Sequence, residues 1–120
     1  MLQGNGVEKD LAAAVAWYRR AAEREDPSSL CALGRCYETG SGVEKDERHA
    51  VEIYRQAAEM NDAEGQYRLG RCYYYGIGIS KDIHQAVQWL TKSAAQGSRQ
   101  GEFFLGQCYE NGEGVPRDEK

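Results

Sequence analysis

Residues 33–46 read LGRCYETGSGVEKD, and nearly the same pattern returns twice further along the chain. Residues 69–82 read LGRCYYYGIGISKD, and residues 105–118 read LGQCYENGEGVPRD. The first ten residues, MLQGNGVEKD, match the second part of the same pattern. The copies are spaced by 36 residues without insertion or deletion. A fixed period of this length indicates a repeat protein in which each copy is one supersecondary unit.

Each unit carries the signals of two helices. From Asp46, apolar residues at positions 50, 51, 54, 57 and 58 follow the rhythm of an amphipathic helix. Asp46 and Asp62 suit the N-cap of a helix, and Asp26 does so ahead of Pro27. Asn61 and its equivalent Gly97 suit a left-handed residue at a helix end. The expected helices span roughly 11–24, 27–39, 47–60, 63–75, 83–96 and 99–111.

A glycine recurs in the middle of the first helix of each unit, as Gly34, Gly70 and Gly106. Glycine inside a helix costs about 1 kcal/mol relative to alanine. Three such costs need a structural reason. We expect the glycine to let the second helix approach closely, because the alanines at positions 50, 57 and 58 are small enough to accept it.

The connections between the expected helices are short, which makes neighbouring helices antiparallel and stacks the pairs into an α-solenoid. The units cover residues 1–26, 27–62, 63–98 and 99–120, so the first and last are partial. Terminal repeats of solenoids carry polar capping faces. Neither end of this chain does, and we expect it to be a segment of a longer array.

The cysteines do not have the spacing of a disulfide framework or a zinc site. Cys36, Cys72 and Cys108 occupy the same place in successive units, on helices that pack about 8–10 Å apart, too far for a disulfide. Cys31 and Cys36 lie roughly 7.5 Å apart along one helix. We expect reduced cysteines that act as small buried apolar groups, and no metal site. Reduced cysteines favour a cytoplasmic location.

Composition excludes several classes of function. The net charge of −4, from 19 acidic and 15 basic residues, argues against nucleic acid as a partner. No apolar run approaches the roughly 18 residues of a membrane helix. The N-terminus lacks the features of a signal peptide, but the compartment stays open because Met1 need not be the natural start.

The Gly-x-Gly pairs are not nucleotide-binding motifs. They follow a helix, no third glycine arrives in place, and no Gly-Lys-Ser/Thr completes a P-loop. No serine forms a nucleophile motif with a histidine and an acid. We therefore expect no catalytic residues, no cofactor and no small-molecule substrate.

The pattern Leu-Gly-x-Cys-Tyr-x-x-Gly-x-Gly-Val-x-x-Asp, followed by Ala-Val-x-x-Trp and Ala-Ala, resembles the Sel-1-like repeat, a relative of the tetratricopeptide repeat. Departures are small: Met1 replaces the tyrosine, Ile53 the tryptophan, and Gly78-Ile79-Ser80 the usual Gly-Val sequence. Cysteine-rich secreted members pair two cysteines in each repeat. This chain has one recurring cysteine and does not resemble that branch.

The resemblance implies an all-α fold, an α-solenoid in which antiparallel helix-turn-helix repeats form a right-handed superhelix. It also implies an adaptor or scaffold that binds a protein or peptide on its concave inner surface, with no partner identified. The alternative is a structural spacer or a self-associating segment between other domains.

By analogy with tetratricopeptide arrays, the first helix of each unit lines the concave face. The stripe on the first of these helices would also include Ser28, Cys31 and Thr39. Aromatic and arginine side chains together are typical of binding hot spots, and guanidinium groups suit carboxylates. In the alternative interpretation, Tyr67 and Phe103 belong to the inter-repeat core and the arginines are solvated. The predicted partner-binding residues are Arg35, Glu38, Tyr67, Arg71, Tyr74, Tyr75, Phe103 and Gln107.

Overall fold

A computed structural model describes residues 2–111 of the chain, with side chains placed from Asp10 onwards. Six helices and no strand occupy this range, as the repeat pattern predicts. They are α1 (Leu2–Glu23), α2 (Pro27–Thr39), α3 (Glu47–Glu59), α4 (Ala63–Tyr75), α5 (Ile83–Ala95) and α6 (Arg99–Asn111).

The helices stack into an elongated α-solenoid that measures 61 × 30 × 22 Å. Each helix contacts the next along the chain, and α4 also contacts α2 and α6, the first helices of the units on either side. Within residues 2–111, the second helices α1, α3 and α5 do not come within 8 Å of one another, Cα to Cα. The first helices are therefore closer together and lie on the inner side of the stack.

Aspartates begin the helices as predicted, with one difference. The carboxylates of Asp46 and Asp82 each accept a hydrogen bond of 3.1 Å from the backbone amide three residues on. Asp62 accepts one of 2.9 Å in the same way. Asp26 instead accepts a 2.7 Å hydrogen bond from the Ser29 hydroxyl, and its carboxylate makes no bond to a backbone amide. The Asp26 cap is thus expected to be the weakest of the four.

Left-handed residues end the helices at the predicted places. Gly40 and Gly76 have φ angles of 78° and 75°, and their amides bond back to the carbonyls of Cys36 and Cys72. Asn61 has a φ of 66°, which confirms its predicted conformation.

The start of α1 differs from the prediction. The helix begins at Leu2 and not near residue 11, so Gly4 and Gly6 lie within it. In the next unit, Gly42 packs on the α1 backbone so closely that a Cβ there would lie 2.6 Å from the Leu11 carbonyl oxygen. The loop at Gly42 thus packs directly on the second helix that precedes it.

The core repeats with the same period as the sequence. One cluster contains Val15 and Leu33, and their equivalents Val51 and Leu69 lie in the next cluster. Each unit therefore buries its apolar side against the unit that follows.

The recurring glycine faces a different side chain from the one predicted. A Cβ on Gly34 would lie 2.5 Å from Cε1 of Tyr54, and one on Gly70 would lie 2.8 Å from Cγ of Leu90. Tyr54 and Leu90 hold equivalent positions in successive second helices. The glycine thus makes room mainly for this one side chain, and the carbonyl oxygen of Ala86, the equivalent of Ala50, would lie 3.3 Å from a Cβ on Gly70.

Cys31 is fully buried, which corrects its placement on the exposed stripe. Its thiol lies 3.5 Å from a carboxylate oxygen of Asp62, so this side of α2 is covered by the turn between α3 and α4. Cys72 and Cys108 are buried as expected, and Cys36 is half-buried. No disulfide joins the four cysteines, all of which lie in the described part of the chain.

Candidate partner-binding face

The inner face of the solenoid is formed by α2, α4 and α6, and its two halves differ in chemistry. The contact between α2 and α4 is ionic, whereas the contact between α4 and α6 is aromatic. All eight predicted partner-binding residues lie on these three helices.

Glu38 is the centre of the ionic half. Its carboxylate accepts a 2.8 Å hydrogen bond from Nη1 of Arg71 on α4 and a 2.7 Å bond from the hydroxyl of Tyr54 on α3. The Glu38 side chain is 11% exposed. Burial alone would raise the pKa of Glu38, but the hydrogen bonds from Tyr54 and Arg71 outweigh it and hold this pKa below its ordinary value. Glu38 and Arg71 therefore join two repeats.

A second ionic contact lies beside the first. Nη1 of Arg35 is 3.2 Å from Oε2 of Glu64, and Nε of Arg68 is 3.0 Å from the same oxygen. The Arg35 side chain is 49% exposed, against 26% for Arg71. Of the two predicted arginines, Arg35 keeps much of its surface available, and Arg71 is largely engaged within the molecule.

The aromatic half is a cluster of five rings from α4 and α6, called the aromatic patch here. Phe104 lies at its centre, with ring centroids 5.8 Å from Tyr67, 5.9 Å from Tyr74, 6.0 Å from Tyr75 and 5.6 Å from Phe103. Tyr75 and Phe103 both stand almost perpendicular to Phe104, in the edge-to-face arrangement that aromatic rings prefer.

Exposure divides the aromatic patch into a base and a rim. Tyr67, Tyr74 and Phe104 are half-buried between the two helices, whereas Tyr75 is 56% and Phe103 is 61% exposed. Gln107 is half-buried on α6, at the position equivalent to Arg71. The base holds the repeats together, and the rim presents aromatic surface to solvent.

Two residues that organise this face were missed in the sequence. Phe104 was not predicted because its equivalents are Ala32 and Arg68, so no apolar period marks the position. Arg68 lies four residues after Glu64 on α4, and that spacing is a signal for a helical ion pair that could have been used.

Within residues 2–111, no helix is both long and apolar enough to cross a membrane. No group of three or more histidine, cysteine and acidic side chains is placed there to hold a metal ion.

Stacked helix pairs of equal length, with first helices inside and second helices outside, define a helical-repeat protein of the α-solenoid class. The Sel1 repeat model matches residues 1–26, 27–62, 63–98 and 99–120, and the chain belongs to the Sel1 repeat family. Members of this family are commonly protein-interaction modules and are typically non-catalytic.

Solved structures of Sel1-type proteins are similar to this one. The Sel1 repeat protein from Oxalobacter formigenes gives a TM-score of 0.85 at 35% identity, over 97% of this chain and 47% of that one. The protective antigen c5321 of uropathogenic Escherichia coli displays an SLR fold. It gives a TM-score of 0.83 at 34% identity, over 89% of this chain and 23% of that one. Cysteine-rich protein B of Helicobacter pylori gives a TM-score of 0.71 at 33% identity, over 76% of this chain and 68% of that one.

This chain spans less than half the length of the first two of these proteins. The comparison with curated proteins gave no match.

Proposed function

We propose that the chain is a non-catalytic interaction module, or scaffold, that binds a peptide or protein on the face lined by α2, α4 and α6. The observation that carries the proposal is the exposed rim of the aromatic patch. Tyr75 and Phe103 expose more than half of their surface beside a base of packed rings. Exposed apolar surface bordered by polar residues marks interaction sites, and aromatic residues dominate binding hot spots.

The ionic half of the face supports the same proposal. Arg35 is paired with Glu64 in a contact that stays half exposed, so its guanidinium can also meet a carboxylate of the partner. We assign direct contacts to Arg35, Tyr75 and Phe103. The supporting residues, which fix the shape of the face, are Glu38, Tyr67, Arg71, Tyr74 and Gln107.

The chemistry of the buried thiols supports a non-catalytic function. Burial raises the pKa of Cys72 to about 12, and it also raises the pKa of Cys31 and Cys36. A nucleophilic cysteine needs a lowered pKa and access to solvent. These thiols stay protonated and serve as packing groups.

A displayed peptide library tests the proposal. Peptides selected on the immobilised chain would be titrated by calorimetry against the parent and against a Tyr75→Ser, Phe103→Ser double variant. We expect the double variant to lose at least about tenfold in affinity, because hot-spot aromatics contribute roughly 1–2 kcal/mol each. Melting should change little, since both side chains are exposed.

Trp17→Ser is the matched control, because Trp17 is 66% exposed on α1, away from α4 and α6. This variant should keep the affinity of the parent. Equal binding by the parent and the double variant would exclude the aromatic patch as the binding site.

A second candidate function is a spacer or self-associating segment, placed within a longer array. Trp17 on α1 and Tyr109 on α6 are exposed at the two outermost helices, where further repeats would stack. Among the described residues, a Cβ on Gly106 would have no neighbour within 4 Å, unlike its equivalents Gly34 and Gly70. Sedimentation equilibrium separates the candidates: a mass that rises with concentration, and returns to that of a monomer in Trp17→Ser, would favour self-association.

A further inference from the structure

One contact between helices has its acceptor repeated at one end of the described stack and its donors repeated at the other. Inside the stack, the Glu38 carboxylate accepts hydrogen bonds from Tyr54 on α3 and Arg71 on α4. Glu110 on α6 holds the position equivalent to Glu38, two repeats further on, and is exposed. The α6 end of the stack therefore carries the acceptor of this contact.

The donors of the same contact recur at the α1–α2 end. Tyr18 on α1 and Arg35 on α2 hold the positions equivalent to Tyr54 and Arg71, one repeat earlier. Both side chains line an open cavity of about 280 Å³, which Ala32 also lines. A carboxylate that enters this cavity can meet a hydroxyl and a guanidinium, the two groups that hold Glu38 inside the stack.

A second pair of matching positions carries opposite charges. Inside the stack, Gln96 on α5 donates a 2.9 Å hydrogen bond to Gln66 on α4. The equivalent positions at the two ends are Glu102 on α6 and Arg24 on α1, and both are exposed. At these matching positions, the α6 end presents two glutamates and the α1–α2 end presents two arginines. Complementary charges of this kind favour specific pairing of two surfaces.

Apolar side chains at the two ends match in the same register. Trp17 on α1 is 66% exposed, whereas its equivalent Trp89 packs against the core cluster that contains Val51 and Leu69. The equivalents of Val51 and Leu69 at the other end of the stack are only half-buried. They are Val87 on α5 and Leu105 on α6.

Gly106 indicates which ring belongs at the α6 end. Its equivalent Gly34 packs so closely on Tyr54 that an added Cβ would lie 2.5 Å from the ring. Among residues 2–111, no atom would lie within 4 Å of a Cβ on Gly106. Tyr18 is the equivalent of Tyr54 one repeat earlier, so a second copy that places its α1 beside α6 brings a tyrosine ring to Gly106.

We infer that two copies of this chain dock head to tail, with α5 and α6 of one copy against α1 and α2 of the other. Glu110 of one copy then meets Tyr18 and Arg35 of the other, and Glu102 meets Arg24. This contact is a specific form of the self-association named above as the second candidate function, and it rests on that candidate. Because the two faces differ, the contact is heterologous and continues the stack into a chain of copies.

Charge reversal tests the contact by sedimentation velocity on the 120-residue chain. The average mass of the parent should rise with concentration past that of a dimer. Glu110→Arg and Arg35→Glu each bring like charges together and should each weaken self-association at least about tenfold. An equimolar mixture of the two variants should restore it, because each variant then meets an opposite charge on its neighbour.

Glu52→Arg is the matched control, because it changes the net charge by the same amount as Glu110→Arg. The Glu52 side chain is 66% exposed on α3, in the middle of the stack. This variant should associate like the parent.

An independent pair of variants keeps the test decisive if Arg35→Glu does not fold, since Arg35 also contacts Glu64. Glu102→Arg and Arg24→Glu change exposed side chains on α6 and α1. Each alone should weaken self-association, and their mixture should restore it.

The possible outcomes separate this contact from the other proposals. A parent that stays monomeric up to about 1 mM, where association is very weak, would overturn the contact together with the second candidate function. The two faces would then be left to further units of one polypeptide. Self-association that the charge reversals do not weaken, or that the mixtures do not restore, would overturn the head-to-tail contact alone.

Peptide binding by the inner face is measured separately, on dilute protein. Glu110 is not among the residues assigned to the peptide, so Glu110→Arg should keep the parent's affinity for the selected peptides while it loses self-association. A Glu110→Arg protein that loses both would show that the two surfaces are not separate, and would overturn the head-to-tail contact as drawn.

Discussion

Gly34 and Gly106 hold the same place in the 36-residue unit, but their surroundings differ by one side chain. A Cβ on Gly34 would meet the ring of Tyr54 at 2.5 Å, whereas one on Gly106 would meet no atom of residues 2–111 within 4 Å. Gly34→Ala should therefore destabilise the chain by about 1–3 kcal/mol through overpacking. Gly106→Ala should stabilise it by up to about 1 kcal/mol through helix propensity. Urea denaturation followed by circular dichroism measures both, and shifts of the same sign would contradict the argument.

Glu38 makes stability depend on pH at a single carboxyl group. Its pKa in the folded state lies below the ordinary value of 4.5, so the ionised form stabilises the folded state. This contribution is fully present above the unfolded pKa and is lost as the pH falls through the lower, folded pKa. We expect Glu38→Gln to lower the melting temperature at pH 7 and to differ less from the parent as the pH falls below 4.5.

Glu52→Gln provides the baseline for this measurement, because Glu52 is exposed and contacts only His49 among the described pairs. Its melting temperature should follow that of the parent across the same pH range. A Glu38→Gln protein whose difference from the parent does not change with pH would show that the Tyr54–Glu38–Arg71 contact does not favour the ionised carboxylate.

At the scale of single helices, the caps are predicted to contribute unequally. Asp82→Ala removes a hydrogen bond to a first-turn amide and should cost about 1 kcal/mol. Asp26→Ala removes a bond to the Ser29 hydroxyl and should cost less, because Pro27 already fixes the first turn. Thermal denaturation of the two variants gives the comparison. Equal losses would mean that the Asp26 carboxylate reaches a backbone amide in solution.

Most helix boundaries could be predicted from the sequence because they depend on local chemistry. The observed bounds of α2 and α4 and the start of α6 coincide with the predicted ones, and the last residues of α3 and α5 differ from them by one. The predicted end of α6 at residue 111 falls on the last described residue. An aspartate cap or a left-handed glycine bonds only to residues a few positions away. The residue type at one position therefore indicates where a helix begins or ends. The start of α1 was missed because a glycine loop depends on packing against a neighbouring helix, as Gly42 packs on Leu11, and the glycines alone do not determine it.

The candidate site could be predicted less well because it depends on contacts between units. The repeat period placed the eight predicted residues on the first helices. It did not show that Glu38 reaches α4, or that Cys31 is covered by the α3–α4 turn. Phe104 was missed because its equivalents in other units are not aromatic. Where the units differ in sequence, the repeat period does not indicate which side chains of neighbouring units contact each other.

At the scale of the whole molecule, no contacts join distant helices within residues 2–111. The contacts of α6 are with α4 and α5, and α1 contacts α2. Stability in such a stack is approximately a sum over units and their nearest-neighbour junctions. The two junctions are also chemically different, one ionic and one aromatic. A substitution in one unit should therefore change the stability of that unit and its neighbours and leave more distant units unaffected.

Phe104→Ala is the variant that tests this independence. It removes the ring at the centre of the aromatic patch and should weaken the α4–α6 junction by about 1–3 kcal/mol, since Phe104 is half-buried. Hydrogen exchange should speed up in α6 and α4, with little change in α2, because local openings follow local contacts. Val15→Ala is the reciprocal control, since Val15 is 2% exposed in the first core cluster, and it should speed up exchange in α1 and α2. Equal acceleration throughout the chain in both variants would instead show that the four units unfold as one cooperative body.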